Sequence, residues 1–115
     1  MAPSRPPFRE PTYFVLASLL DGRLHGYGII KRAAVLSGGR VRLTAGTLYG
    51  AVDRLIAEGL VAADGEEVVS GRRRRYYRLT GQGENAIAAE AERLGQAAAV
   101  VRSRMRTSHL RESPA

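Results

Sequence analysis

In the segment Gly71-Arg72-Arg73-Arg74-Arg75-Tyr76-Tyr77-Arg78-Leu79-Thr80, five arginines surround two adjacent tyrosines just before a leucine. Successive side chains of a β-strand point to opposite faces. Read as a strand, the segment puts Arg73, Arg75, Tyr77 and Leu79 on one side and Arg72, Arg74, Tyr76 and Arg78 on the other. Tyr77 and Leu79 are expected to face a core. Arg72, Arg74 and Arg78 then face solvent or a partner, while Arg73 and Arg75 lead away toward a hairpin tip. Upstream, Leu60-Val61-Ala62-Ala63-Asp64 has the composition of a first strand, and residues 65–71 that of the connecting loop. The chain carries a net charge of +7 from 17 Arg and one Lys against 11 acids, and without these five arginines the balance falls to +2. A compact positive patch of this kind attracts polyanions, nucleic acid first and an anionic membrane second. A solvated strand edge kept from aggregating by charge is the plainer reading. GC-rich coding would explain arginine over lysine, but not the clustering.

Working back toward the N-terminus, Thr44 is a good N-cap for a helix and Gly59 a good stop after it. Within that helix Leu48, Val52, Leu55 and Ile56 fall on one face at helical spacing. The opposite face carries Gly46, Thr47, Gly50, Asp53, Arg54 and Ala57, small and polar residues that leave it low enough to enter a groove. Thr44 and Thr47 lie near the helix N-terminus, where free N–H groups favour phosphate. Gly50 permits close backbone approach, and Arg54 can read a base or clamp a phosphate. Tyr49 sits at the edge of the apolar face, either on DNA or half-buried. Two more helices precede this one. Thr12–Leu20 is apolar nearly all round, and Gly26–Leu36 carries an Ile29, Ile30, Ala33, Ala34 stripe. Val41-Arg42-Leu43 is long enough only for a bridging strand. His25 lies just before the second helix, where it can help satisfy free N–H groups. Tyr76 either meets DNA or packs at the base of the hairpin.

After Thr80, a further N-cap, a long helix is expected from about Gln82 to Met105. Ile87, Ala91, Leu94, Ala98, Val101 and Met105 repeat at alternating steps of four and three, a heptad seam. Nothing else in the chain is long enough to cover it, so the same helix of a second chain is its expected partner. Early Glu84, Glu90 and Glu92 and late Arg102, Arg104 and Arg106 suit the helix dipole. The expected organisation is a flexible arm over 1–10, a DNA-binding domain over 11–80, a dimerisation helix over 81–107 and a frayed tail over 108–115. The fold class is mainly α with a small β-hairpin: a winged helix-turn-helix plus one long dimerisation helix.

Other functions are excluded on composition. There is no cysteine, hence no disulfide or thiolate metal site. His25 and His109 are too far apart to suggest a metal site, and no metal or cofactor is expected. No run of 18 apolar residues suggests a membrane span, and the N-terminus does not resemble a signal peptide. A cytoplasmic location fits. No nucleophile–base grouping, phosphate-binding glycine loop or acid pair supports an enzyme.

Five segments, in order, resemble the PadR family of bacterial transcriptional regulators: Arg9-Glu10-Pro11-Thr12; His25-Gly26-Tyr27; Leu43-Thr44-Ala45-Gly46-Thr47-Leu48-Tyr49; Leu55-Ile56-Ala57-Glu58-Gly59-Leu60; and Gly71 to Thr80. The single long C-terminal helix is similar to the short-tailed branch of that family. Two positions depart from the pattern. The family often has proline or lysine after the wing glycine, where this chain has only arginines, which bears on phosphate contacts. An acid often follows the His-Gly-Tyr motif, where this chain has Gly28. The resemblance implies a homodimer, binding to double-stranded promoter DNA at a palindromic operator, and repression relieved by a small-molecule effector. Candidate DNA contacts are Thr44, Thr47, Tyr49, Gly50, Arg54 and Arg72, Arg73, Arg74 and Arg75. Phe8, Tyr13, Tyr27, Arg93 and Arg102 are candidates to line an effector pocket at the dimer interface. A winged-helix adaptor for RNA or a protein partner is the competing reading.

Overall fold

The computed structural model describes residues 6–112. Its elements are α1 (Glu10–Ser18), β1 (Leu24–His25), α2 (Gly26–Leu36), α3 (Ala45–Ala57), β2 (Val61–Val69), β3 (Arg72–Leu79) and α4 (Gly81–Glu112). This is a winged helix with a long C-terminal helix. Three helices pack around Leu16, Ile29, Leu48, Val52 and Leu55, and the sheet closes this core with Val61, Tyr77 and Leu79.

The antiparallel sheet has the order β1-β3-β2. Its third strand is Leu24–His25, which pairs with Tyr77 and Tyr76. The bridging strand therefore precedes α2. Val41–Leu43 is not a strand, because the free edge of β3 is already occupied and the Val41 N–H donates to the Ser37 hydroxyl instead. α1 starts and ends two residues earlier than expected, with Pro11 in its first turn.

The wing is longer than the sequence pattern indicates. β2 continues through the supposed loop to Val69, and the tip is the two-residue turn Ser70-Gly71. Both tip residues have positive φ, 52° and 78°, as a tight hairpin turn that follows strand twist requires. Gly65, at φ 87°, lies at a bulge between Ala63 and Glu66. The extra residue shifts the register so that Glu66 faces Arg75 and Glu67 faces Arg74.

Thr80 caps α4, its hydroxyl accepting the Gly83 N–H at 3.0 Å and donating to the Gly59 carbonyl at 2.6 Å. The first three turns of α4 dock on the domain through Gly83, Ala86, Ile87 and Glu90. Beyond Glu90 the helix leaves the body and runs on to Glu112, past its expected end at Met105, so residues 108–112 of the expected frayed tail are helical and 113–115 lie outside the described residues. That projecting part is about 33 Å long at about 1.5 Å per residue. It gives the molecule its 72 × 37 × 22 Å shape. Among the described residues, no helix is long and apolar enough to cross a membrane.

The N-terminal segment from Pro6 to Arg9, expected to be flexible, lies against the domain. Phe8 packs on the core, and its N–H donates to the Glu90 carboxylate at 2.7 Å. Residues 1–5 of that arm lie outside the described residues.

Candidate nucleic-acid interface

α3 begins as its sequence dictates. The Thr44 side-chain oxygen accepts the Thr47 N–H at 3.2 Å, and the two hydroxyls are bonded to each other at 3.0 Å. The buried stripe is Leu48, Ala51, Val52 and Leu55. Ile56, expected in it, is 39% exposed. At 100° per residue it falls to the flank, and the smaller Ala51 closes the packed face instead. Gly46, Thr47, Gly50, Asp53, Arg54 and Ala57 are all exposed. A β-carbon on Gly46 or Gly50 would meet nothing within 4 Å, so this face is bare.

The two flanks of α3 differ. Tyr49, half-exposed, reaches toward the wing, and its hydroxyl lies over Gly26. It lines a groove of about 420 Å³ with His25, Gly26 and all four arginines Arg72 to Arg75. Arg54 projects from the other flank, into a separate cavity of about 480 Å³ between Ala51, Glu58 and the Pro6–Arg9 segment. The structure thus unites Tyr49 with the wing arginines. Thr44, Thr47 and Gly50 lie along the open face of α3, and Arg54 lies on its far side.

Within the wing the arginines fall into two sets. Arg73 and Arg75 share a face with Glu66, at 3.9 and 3.4 Å from its carboxylate. Such exposed pairs contribute little stability, but they offset charge locally. Arg72 and Arg74 lie on the opposite face and take part in no ion pair among the described residues.

Tyr76 packs at the wing base. Its hydroxyl donates to Glu67 at 2.8 Å, the Arg23 guanidinium lies 4.4 Å over its ring, and His25 meets it edge-on at 5.7 Å. Arg23, not singled out from the sequence, also donates to the Asp64 carbonyl at 2.8 Å and pairs with Glu67 at 3.5 Å. It ties the bulge of β2 to the turn before β1. No periodicity marks it, since it sits in the turn before β1. His25 makes no side-chain cap to α2. Burial, then the nearby Arg74, hold its pKa below the ordinary histidine value, with Glu67 acting in the opposite sense. Burial pushes the Tyr77 phenol up.

The expected seam on α4 is divided. Ile87 is 4% exposed and belongs to the protomer's own core. Leu94, Val101 and Met105 are exposed on the projecting part, with Ala91 exposed and Ala98 half-buried. The five effector candidates do not converge in one protomer. Phe8 lines the cavity beside Arg54, and Tyr13 stacks edge-on with Phe14. Tyr27 lies on the outer face of α2 with Lys31. Arg93 is bonded to Glu90 at 2.6 Å, and Arg102 is exposed on the projecting helix. Among the described residues, no group of three or more metal-ligating side chains comes together.

Comparison with known proteins matches this arrangement. Residues 15–89 match the model of the Transcriptional regulator PadR-like family. A transcriptional regulator of Mycobacterium tuberculosis is 34% identical over 84 residues, 73% of this chain and 75% of that protein. A PadR family transcription regulator from Clostridium difficile superposes with a TM-score of 0.70 at 24% identity, covering 84% of this chain and 99% of that one. Bacillus subtilis PadR, solved in complex with operator DNA, superposes with a TM-score of 0.62 at 22% identity, covering 70% of this chain and 46% of that one. At those two identities the structural likeness is one of fold. The extent of the family match and the identity to the mycobacterial regulator establish that this chain belongs to the PadR-like family of transcriptional regulators.

Proposed function

We propose that the protein is a homodimeric, sequence-specific DNA-binding repressor of transcription, acting in the cytoplasm. One observation carries the reading: the bare face of α3 lies beside a groove in which Tyr49 meets Arg72 to Arg75. In this account the first turns of α3, with Thr44, Thr47 and Gly50, enter a major groove, where base edges carry sequence information. The wing arginines hold phosphates and reach toward the adjacent minor groove, which fixes orientation more than sequence. The operator complex of Bacillus subtilis PadR, a protein of the same fold, supports the DNA assignment.

The dimer would form through the projecting part of α4, where Leu94, Val101 and Met105 are exposed and Ala98 lies between them. Two α3 helices related by a two-fold axis then meet half-sites about 34–36 Å apart on an imperfect palindrome. A small-molecule effector at the dimer interface would modulate binding. Footprinting on the DNA flanking the protein's own gene tests the whole reading. A protected imperfect palindrome supports it. Uniform, sequence-independent protection contradicts it.

A further inference from the structure

We propose that His25 is a contact to the DNA backbone within the wing groove and takes up a proton as DNA binds, so that affinity rises as the pH falls. The inference rests on the DNA-binding reading above and adds to it a residue and a regulation. His25 lines the groove together with Tyr49 and Arg72 to Arg75. Its place is fixed by backbone pairing with Tyr76 in the sheet. Its ring is held between that tyrosine, edge-on at 5.7 Å, and the start of α2, where a β-carbon on Gly28 would lie 3.3 Å from it. Yet neither ring nitrogen has a hydrogen-bond partner among the described residues. A positioned imidazole with unused hydrogen-bonding capacity, set among arginines, suits a phosphate.

The charged and titratable groups around it define the sign. Arg74 and Tyr76 face it from β3, Glu67 from β2 and Lys31 from α2, with Arg23 stacked beyond Tyr76. Glu67, the acid among them, is engaged by the Tyr76 hydroxyl and by Arg23. With the groove empty, burial and then the cations Arg74 and Lys31 favour the neutral form of His25. A phosphate diester in the groove reverses the local charge and favours imidazolium. The histidine value in the complex then lies above that of the free protein. Between the two values, binding takes up a proton and affinity rises on acidification. Above both, affinity is independent of this group.

The test is duplex-DNA binding by the full chain at fixed ionic strength between about pH 5 and pH 8. Wild-type affinity should rise on acidification, by about tenfold per protomer for each unit by which DNA raises the histidine value. His25→Gln should abolish that dependence, and His25→Lys should bind with little change across the range. Because the chain has two histidines, a proton NMR titration in a His109→Asn background reads His25 directly, without relying on a substitution at the site. Its titration should move upward when duplex DNA is added. An unmoved titration, or a pH dependence that His25→Gln retains, overturns the inference while leaving DNA binding intact. Failure of any duplex to bind at any pH overturns the DNA-binding reading, and this inference with it.

Discussion

The hydroxyl of Tyr49 in α3 lies so close over Gly26, the first residue of α2, that a β-carbon on Gly26 would stand 2.5 Å from it. The contact links the helix proposed to read DNA to the wall of the wing groove. Gly26→Ala should force the tyrosine out of place. Tyr49 is half-exposed and its ring can swing, so stability should change by no more than about 0.5 kcal/mol. DNA affinity should fall several-fold, measured by fluorescence anisotropy. Full affinity with a normal melting temperature would show that this placement of Tyr49 is unimportant to binding.

Gly83 presents the opposite case. A β-carbon there would overlap the backbone carbonyl oxygen of Leu60 and lie 3.0 Å from the Leu79 side chain. Neither can move aside without shifting the strand or α4. Gly83→Ala should destabilise the fold by about 1–3 kcal/mol, the usual range for overpacking. Urea denaturation measures this directly, and an unchanged midpoint would contradict the close docking of α4.

Neither contact is legible in the sequence, whereas other parts of the fold are. α3 was legible because its cap, its stop and most of its apolar positions lie in one continuous segment. The inward Tyr77 and Leu79 followed from strand alternation alone. The wing length was not legible. A bulge at Gly65 breaks the alternation, and exposed residues such as Glu66, Glu67 and Val68 carry no inward–outward pattern. β1 was missed because two residues carry no periodicity, and only the edge of β3 makes them a strand. The heptad repeat located the apolar stripe of α4 but not what covers it. Ile87 is buried within its own protomer, whereas Leu94 is not.

Glu90 ties the N-terminal segment to α4. Its carboxylate accepts from Arg93 at 2.6 Å and from the Phe8 N–H at 2.7 Å. The Arg93 bond, assisted by that of Phe8, holds the carboxyl below the ordinary glutamate value of 4.5. A group whose folded value is depressed contributes stability that is complete above the unfolded value and is lost as the pH falls through the folded one. Docking of Phe8 should therefore be independent of pH near neutrality, where Glu90 stays ionised, and weaken below 4.5. Hydrogen exchange at the Phe8 amide checks it. Glu90→Gln should speed that exchange at neutral pH, and unchanged protection would contradict the tether.

Leu94 is the first large apolar seam residue clear of the protomer's core, at 42% exposure. Leu94→Glu places a charge in the proposed helix–helix interface while leaving the domain untouched. Light scattering should then report monomers, with weakened operator binding and an unchanged melting profile for the domain. A dimer that persists would mean that the chains associate through another surface.

The wing groove remains the central claim, and Arg72 and Arg74 test it most directly. Duplex binding should be measured across a series of salt concentrations for wild type and for the Arg72→Ala, Arg74→Ala double variant. Each phosphate contact contributes about 0.9 to the slope of log affinity against log salt. The double variant should bind both operator and unrelated duplex more weakly, with a slope shallower by about 1.8 per protomer. An unchanged slope would mean that these arginines do not meet phosphate, and would contradict the assignment of the wing to DNA.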